Sequence, residues 1–325
     1  MSNEELSIKT VSEKLNLAIK EIEKVIVGQK DIVEGTLLGL LSNGHVLLEG
    51  VPGVGKTLLV RALAHSISAD FNRIQFTPDL MPSDITGVTA YNPNTGEFYF
   101  KKGPIFTNIL LADEINRAPP KTQAAMLEAM QERQVSIDEK TYSLDRPFLV
   151  VATQNPVEQE GTYPLPEAQL DRFVFKLLVD YPSIDDELEI VARFTAGEDA
   201  YQKLQTLNPV LKKEDIVKIQ HYLREKIKLE KEVMEYIVKL VNATRKSEEV
   251  EIGASPRASL WLAVTGKANA LLSGREYVTP GDIQKVAPMV MRHRIIIKPE
   301  WEFEGITSDS IIQRVLKYVE PPSIE

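Results

Sequence analysis

The chain has 325 residues, of which 43% are hydrophobic, and its 47 acidic and 38 basic residues give a formal net charge of -9. This length gives room for about two domains with hydrophobic cores, and the acidic balance argues against sequence-independent binding of nucleic acid. The chain contains no cysteine, which excludes disulfides, thiolate zinc sites and a cysteine nucleophile.

The amino-terminal residues carry Glu4 and Glu5 and have no apolar core, so they are not expected to be a signal peptide. No apolar run approaches the roughly 20 residues that cross a bilayer. We therefore expect a cytoplasmic protein without membrane insertion.

Residues 4–25 repeat apolar side chains at the spacing of one helix face, which predicts an amphipathic helix. A short apolar segment follows, at residues 25–29, and contains Val27 and Gly28. It suits either a plug in the hydrophobic core or the apolar wall of a ligand site. The sequence leaves these two interpretations open.

A glycine-rich loop at residues 50–57 follows an apolar strand and precedes a predicted helix. This order is the context that a phosphate-binding loop requires, because glycines admit close backbone approach and a helix N-terminus favours an anion. The alternative is an ordinary strand-to-helix turn. We predict that the loop binds ATP through Gly50, Pro52, Gly53, Val54, Gly55, Lys56, Thr57 and Leu58.

Two loop residues have specific predicted roles. Lys56 is expected to contact the β- and γ-phosphates, and Thr57 is expected to bind Mg²⁺. If the earlier apolar segment is a ligand wall, Val27 and Gly28 would contact the adenine ring.

Short apolar segments that alternate with helix-forming segments predict a largely parallel sheet. They lie at residues 45–49, 72–77, 109–112, 148–153 and 173–179. Ligands of such sheets bind at the carboxyl ends of the strands, so the polar residues there are the candidates for chemistry.

Two adjacent acids, Asp113 and Glu114, directly follow the buried strand at residues 109–112. Burying both without a cation is costly. We therefore predict that Asp113 binds magnesium, directly or through water, and that Glu114 polarises the attacking water. A helix N-cap is the alternative role for either acid.

Asn155 follows the strand at residues 148–153 and precedes Pro156. Its amide is placed to hold a water molecule beside the γ-phosphate. Formation of the turn before Pro156 would use the same residue, so both interpretations stay open.

These motifs together resemble the MoxR family of AAA+ ATPases, over nearly the whole chain. The resemblance is carried by Gly28-Gln29, Asp113-Glu114-Ile115-Asn116-Arg117-Ala118-Pro119-Pro120-Lys121, Ala152-Thr153-Gln154-Asn155-Pro156, Glu160-Gly161-Thr162-Tyr163, Leu170-Asp171-Arg172-Phe173 and Gly253-Ala254-Ser255-Pro256-Arg257. It implies an α/β AAA+ fold: a five-stranded parallel sheet in the order 5-1-4-3-2 between helices, then a helical lid.

Two turn-rich segments between β-prone runs predict hairpin inserts, at about residues 84–102 and 134–146. The resemblance implies that they point toward the central pore of a ring and press on a client. The alternative is that they are surface ribbons that only complete the packing.

The resemblance also implies that Arg172 is an arginine finger that reaches the γ-phosphate of a neighbouring subunit. Arg117 and Arg133 compete for this role. An intramolecular ion pair near Asp171 is the simpler alternative.

Residues 1–182 are expected to form the nucleotide-binding domain, and residues 183–325 an all-helical lid, because helical periodicity replaces β-prone segments there.

Arg257 lies in the first turn of a lid helix, where the dipole disfavours a cation. A bound anion would reverse that effect, so Arg257 is a candidate contact for the γ-phosphate. An acid on a neighbouring helix is the alternative. The side chains of the basic cluster at residues 292–294 are expected to lie partly at the surface and partly in the core of one element of the lid.

The combined hypothesis is an ATPase motor or switch. The resemblance implies a homo-oligomeric ring, expected to be a hexamer, and a chaperone-like role in maturing client proteins, in company with a separate von Willebrand factor A domain protein. The alternatives are a nucleic-acid-remodelling ring ATPase and a magnesium-chelatase-like motor subunit. Neither the client nor the residue that restrains Glu114, for which Gln75 and Thr77 are candidates, follows from the sequence.

Overall fold

The computed structural model describes residues 7–138, 140–156 and 161–323. The helices in this part of the chain are α1 (Ile8–Glu23), α2 (Lys30–Leu41), α3 (Lys56–Ser66), α4 (Pro82–Thr86), α5 (Pro120–Glu132), α6 (Glu167–Leu170), α7 (Ile184–Thr195), α8 (Ala200–Gln205), α9 (Lys213–Lys226), α10 (Lys231–Thr244), α11 (Pro256–Leu272), α12 (Pro280–Met291), α13 (Pro299–Phe303) and α14 (Ser308–Tyr318). The strands are β1 (Val46–Gly50), β2 (Phe71–Gln75), β3 (Gly87–Asn92), β4 (Glu97–Lys102), β5 (Ile109–Asp113), β6 (Gln134–Ile137), β7 (Lys140–Ser143), β8 (Leu149–Gln154), β9 (Phe175–Val179), β10 (Val250–Ile252) and β11 (Ile296–Ile297).

Five of these strands form a parallel sheet in the order β2-β5-β8-β1-β9. If β1, β2, β5, β8 and β9 are numbered 1 to 5, the order read from β9 is 5-1-4-3-2. The predicted strand order is therefore confirmed. Strands β5 and β8 are buried along nearly their whole length. Helices cover both faces of a parallel sheet, which explains why these strands are continuous apolar runs.

The register of the sheet brings the polar strand ends to one edge. Glu49 of β1 pairs with Gln154 of β8, and Gln75 of β2 pairs with Asp113 of β5. Because parallel strands end at the same edge, the glycine-rich loop after β1, named the phosphate-binding loop for its predicted role, and the acids at the end of β5 lie on the same side of the sheet.

Residues after 183 are mainly helical, as predicted, with one correction. Strands β10 and β11 pair antiparallel to form a two-stranded ribbon, so this region is not all-helical. The two strands have only three and two residues, too few for an alternating pattern to be visible in the sequence. The boundary at residues 182 and 183 stays a prediction.

A continuous hydrophobic core joins the sheet to the carboxyl-terminal helices. Val11 and Leu15 of α1, Leu37 of α2 and Leu262 of α11 belong to the same buried cluster as the face of the sheet formed by β1 and β9. The amino-terminal helix therefore packs on both regions. Within the described part of the chain, every helix is too short or too polar to cross a lipid bilayer.

Two antiparallel hairpins, β3-β4 and β6-β7, lie where the sequence predicts hairpins. They contact each other, because the Thr89 hydroxyl donates a hydrogen bond to Asp138 at 2.6 Å and the rings of Phe100 and Tyr142 stack with centroids 4.3 Å apart. Phe98, near the tip of the first hairpin, has 73% of its surface exposed. The two hairpins thus form one joined projection with exposed aromatic side chains. Glu139, which the sequence predicts to lie in the turn of the second hairpin, and residues 157–160 lie outside the described residues.

Candidate functional site

The phosphate-binding loop is open toward solvent. Gly53 and Gly55 have φ values of +85° and +81°, which favour glycine. Apart from the adjacent residues, no atom of the described residues lies within 4 Å of where their Cβ atoms would be. Gly50 is needed for a different reason, because a Cβ there would lie 2.1 Å from the carbonyl oxygen of Val179 on β9. The loop is therefore open at Gly53 and Gly55 and tightly packed against β9 at Gly50.

Lys56 begins α3, and Thr57 is its second residue. The Lys56 ammonium donates to the carbonyl oxygen of Gly50 at 2.6 Å. Burial lowers the pKa of Lys56, while the negative charges of Asp113 and Glu114 act in the opposite direction. Since β1 and β5 both pair with β8 in parallel, Lys56 and the two acids lie at the same edge of the sheet, which indicates a common site.

A cavity of about 870 Å³ adjoins the loop, and its lining includes Pro52, Gly53, Val54, Gly55 and Leu58. Its apolar wall comes from the segment before α2, from the link between β9 and α7, and from α7 itself. It includes Val27, Tyr181, Ile190 and Phe194. This size suits a nucleotide, since ligand cavities typically measure about 300–1,000 Å³.

The segment before α2 contributes both to the hydrophobic core and to the wall of the cavity, and its contact with an adenine ring stays a prediction. Val25 and Ile26 are 6% and 7% exposed and belong to the hydrophobic core, although they also reach the cavity wall. Val27 is only partly buried and lines the cavity.

Gly28 is not among the residues that line this cavity. It has a φ of +79°, and a Cβ there would lie 2.5 Å from the carboxylate carbon of Asp186 on α7. The lack of a side chain thus lets α7 approach the segment closely. Contact between Gly28 and a nucleotide stays a prediction.

Asp113 is fixed from two sides. The Thr153 hydroxyl on β8 donates to its Oδ1 atom at 2.6 Å. On β2, the Nε and Nη2 atoms of Arg73 donate to its Oδ2 atom at 3.0 and 2.7 Å. Arg73 is thus the cation that the burial of this acid requires, and neither Arg73 nor Thr153 was predicted. Their contacts depend on the strand register.

Glu114 has a φ of +55°, an uncommon value for a residue other than glycine. Such backbone outliers are frequent at functional sites. Its N–H donates to the Thr153 hydroxyl at 2.9 Å, and its Oε2 atom accepts from the Gln75 amide at 2.9 Å. Between the two restraint candidates, Gln75 makes this contact. Arg117 lies 3.6 Å from the same carboxylate oxygen.

Asn155 is 8% exposed and directly follows β8. Since Glu49 pairs with Gln154, Asn155 lies next to the end of β1, where the phosphate-binding loop begins. This position suits the predicted contact with a water molecule near the γ-phosphate, which stays a prediction.

Arg172 and Arg257 lie together in a different cavity, of about 190 Å³. Its other walls include residues 43–45, which precede β1, whereas the phosphate-binding loop follows β1. The five residues of β1 rise roughly 16 Å along the sheet at about 3.3 Å each. Both arginines therefore lie at the opposite edge of the sheet from the phosphate-binding loop of their own chain.

The structure separates the three arginine finger candidates. Arg117 lies beside Glu114 of its own chain, whereas Arg133 and Arg172 line the cavity at the other edge. Arg133 donates to the carbonyl oxygen of Asn43 at 2.6 Å, and Arg172 donates to that of Leu127 at 3.3 Å. Arg172 also lines an adjoining cavity of about 380 Å³.

The acid proposed as an alternative partner of Arg257 is present. Asp171 accepts from Arg257 at 3.2 Å and from Arg294 at 2.7 Å. The side chain of Arg294 is 1% exposed and also donates to the carbonyl oxygens of Asp171 and Phe173. Burial lowers its pKa to about 10. The basic cluster at residues 292–294 thus anchors the lid to the start of β9, a role that its sequence did not reveal.

The residues present fit ATP and magnesium. The open glycine loop and Lys56 suit a triphosphate, and the Thr57 hydroxyl and Asp113 carboxylate are the oxygen ligands that Mg²⁺ prefers. The arrangement would bind a nucleotide at one edge of the sheet and present arginines at the other.

Two family models match this chain. Residues 45–175 match the model of the ATPase family associated with various cellular activities (AAA), and residues 242–315 match that of the AAA lid domain. Both matches fall on parts of the chain that form the sites described above.

Relatives cover nearly the whole chain. The protein YeaC of Bacillus subtilis is 51% identical over 95% of this chain and 95% of its own. Chaperone MoxR1 of Mycobacterium tuberculosis is 47% identical over 95% of this chain and 83% of its own. A crystal structure of a protein from Cytophaga hutchinsonii has a TM-score of 0.89 at 44% identity, and the match covers 97% of each chain.

Proposed function

Because the chain belongs to the MoxR family of AAA ATPases, we propose that it hydrolyses ATP between neighbouring subunits of a ring and uses the cycle to remodel client proteins. One observation carries this proposal: Lys56, Asp113 and Glu114 lie at one edge of the sheet, beyond the ends of β1 and β5, while Arg172 and Arg257 lie at the other. The chain therefore holds both halves of a site that one subunit cannot complete.

The proposed nucleotide contacts follow from the geometry of the loop. The backbone N–H groups at residues 50–57 and the start of α3 would bind the phosphates. Lys56 would exchange the carbonyl oxygen of Gly50 for a phosphate oxygen. The adenine ring would lie against Val27, Ile190 and Phe194.

Hydrolysis needs a group that takes up the proton of the attacking water. Glu114 would take this role once it leaves the Gln75 amide, and Asn155 would orient the water. A magnesium ion held by Thr57 and Asp113 would neutralise charge on the β- and γ-phosphates. Thr153 keeps both acids in position, because it contacts the Oδ1 atom of Asp113 and the N–H of Glu114.

Arg172 and Arg257 would complete the site from the neighbouring subunit. Their guanidinium groups would stabilise the charge that develops on the transferred phosphate. Asp171 would keep Arg257 in place until a phosphate competes for it. A closed ring, for which a hexamer is the expected size, gives every subunit such a neighbour.

The joined hairpins supply a surface for a client protein. Tyr91 and Phe98 pack together with centroids 5.2 Å apart, and both are exposed. The name of the relative Chaperone MoxR1 supports a client of this kind, and a separate von Willebrand factor A domain protein is the partner that the sequence suggests. The cytoplasm, which supplies ATP, is the compartment that this proposal requires.

A shared site makes turnover depend on assembly. We expect ATP turnover per subunit to rise with protein concentration, in parallel with oligomer formation followed by light scattering. A turnover per subunit that stays constant down to concentrations at which the protein is monomeric would contradict the proposal.

Duplex DNA is expected to leave turnover unchanged. A strong, salt-sensitive stimulation would instead favour a nucleic-acid-remodelling ATPase.

A further inference from the structure

Arg73 joins the two acids of the site. Its Nε and Nη2 atoms donate to the Oδ2 atom of Asp113 at 3.0 and 2.7 Å, and Nη2 also donates to the side-chain oxygen of Gln75 at 2.8 Å. The Gln75 amide nitrogen then donates to Glu114 at 2.9 Å. One guanidinium group therefore contacts the predicted metal ligand directly and the predicted water-activating acid through a single side chain.

The contact with Arg73 determines which way the Gln75 amide faces. An arginine only donates hydrogen bonds, so the oxygen of the Gln75 side chain faces Arg73 and its nitrogen faces Glu114. The reversed amide would direct its oxygen at the Glu114 carboxylate and its nitrogen at a cation. Arg73 thus maintains the orientation in which Gln75 can hold Glu114.

The backbone explains how these groups meet. Arg73 and Gln75 are two residues apart on β2, so their side chains lie on the same face of the sheet. Gln75 pairs directly with Asp113 across the strands, which brings both β2 side chains to the acids. Since β2 is an edge strand of the sheet, the side chain of Arg73 is 43% exposed and has room to move outward.

The same oxygen of Asp113 would serve a metal ion. Oδ1 already accepts a hydrogen bond from Thr153, and Thr153 is buried. Oδ2 instead accepts two hydrogen bonds from Arg73, whose side chain is 43% exposed, so movement of this one side chain would free Oδ2 for a cation. Arg73 must release this oxygen before a divalent cation can use it, and the release removes the donor that orients Gln75.

We propose that Arg73 is a positioning residue that holds Asp113 and Glu114 in a resting arrangement and competes with the magnesium-nucleotide complex for Asp113. The inference rests on the proposed ATPase function. Loading of the site with the magnesium-nucleotide complex would thereby be coupled to release of Glu114, because Arg73 contacts both Asp113 and the Gln75 side chain that holds Glu114. A purely structural ion pair between β2 and β5 would affect stability and leave the magnesium dependence of nucleotide binding unchanged.

The test is a magnesium titration of nucleotide binding. A fluorescent, non-hydrolysable ATP analogue is bound to the full chain at increasing MgCl₂, and the half-saturating MgCl₂ concentration is measured. R73Q is expected to lower this concentration about fivefold or more, as removal of a competing contact should. With EDTA in place of MgCl₂, R73Q and the unmodified chain should bind the analogue equally.

The chain offers a matched control. Arg314 forms an ion pair with Glu249, and both residues lie far along the chain from Arg73. The Arg314 and Glu249 side chains are 53% and 14% exposed, which is close to the 43% of Arg73 and the 14% of Asp113. R314Q should leave the half-saturating MgCl₂ concentration unchanged. R73K keeps the charge but loses the two-donor geometry, so it should lower the half-saturating MgCl₂ concentration less than R73Q does. It also serves as the test variant if R73Q does not fold.

The possible outcomes are distinguishable. An unchanged or higher half-saturating MgCl₂ concentration in R73Q, or in R73K if only that variant folds, would overturn the role of Arg73 and leave the proposed function intact. An equal gain in EDTA would also overturn it, because the gain would not involve a cation. Failure of the unmodified chain to bind the analogue at all would instead overturn the proposed function.

Discussion

Replacement of Glu114 by glutamine is expected to lower ATP turnover about 10³-fold while nucleotide binding is retained. Glutamine has nearly the same shape, but it cannot accept the proton of the attacking water, and such general-base groups typically contribute roughly 10²–10⁴-fold. The loop, Lys56 and the cavity wall are untouched by this change. Phosphate release and the affinity for a fluorescent ATP analogue are the two measurements.

Glu214 is a suitable control for the charge change, because it is exposed in the first turn of α9, away from the phosphate-binding loop. E214Q should retain the turnover of the unmodified chain. If E114Q also retained full turnover, Glu114 would not be the group that activates water, and the site would need another base.

The second large effect is expected for Arg172→Ala. Loss of an arginine finger lowers the rate of phosphoryl transfer by roughly 10³–10⁵-fold, so we expect a loss of at least about 10³-fold under conditions in which the ring is assembled. Each subunit should still bind nucleotide, because Arg172 lies at the opposite edge of the sheet from its own phosphate-binding loop. Steady-state turnover and analogue affinity, measured on the same samples, separate the two effects.

Arg133→Ala is the informative comparison, since Arg133 lines the same cavity as Arg172. Its contact with the carbonyl oxygen of Asn43 is within the chain and indicates a structural role. We expect R133A to change stability more than turnover of the folded protein. A larger loss of turnover in folded R133A than in R172A would make Arg133 the finger instead.

Local sequence pattern predicted the strands of the sheet and located the glycine-rich loop between β1 and α3, whereas the strand order came from the family resemblance. Strands β5 and β8 are apolar runs that end in polar residues, and the loop combines fixed glycines with Lys56 and Thr57. Each of these signals lies within a few consecutive residues. The pair Asp113 and Glu114 was predictable for the same reason, because the acids directly follow a buried strand.

The contacts that the sequence did not reveal join residues that are far apart in the chain. Arg73 meets Asp113 and Thr153 meets Glu114 only because of the strand register, and Arg294 meets Asp171 only because the lid packs against the start of β9. The position of Arg257 beside Arg172 depends on the same packing. An arginine in the first turn of a helix indicates an anion or an acid, but it cannot indicate which edge of the sheet that helix faces.

The central claim, a site completed by a neighbouring subunit, is tested most directly by mixing two inactive variants. Lys56→Ala removes the nucleotide contact of one subunit, and Arg172→Ala removes the contribution to its neighbour. In a mixed ring, an intact Lys56 site can face an intact Arg172, so we predict that the mixture regains ATP turnover that neither variant has alone. No recovery at any mixing ratio, in samples shown to contain mixed rings, would contradict the account.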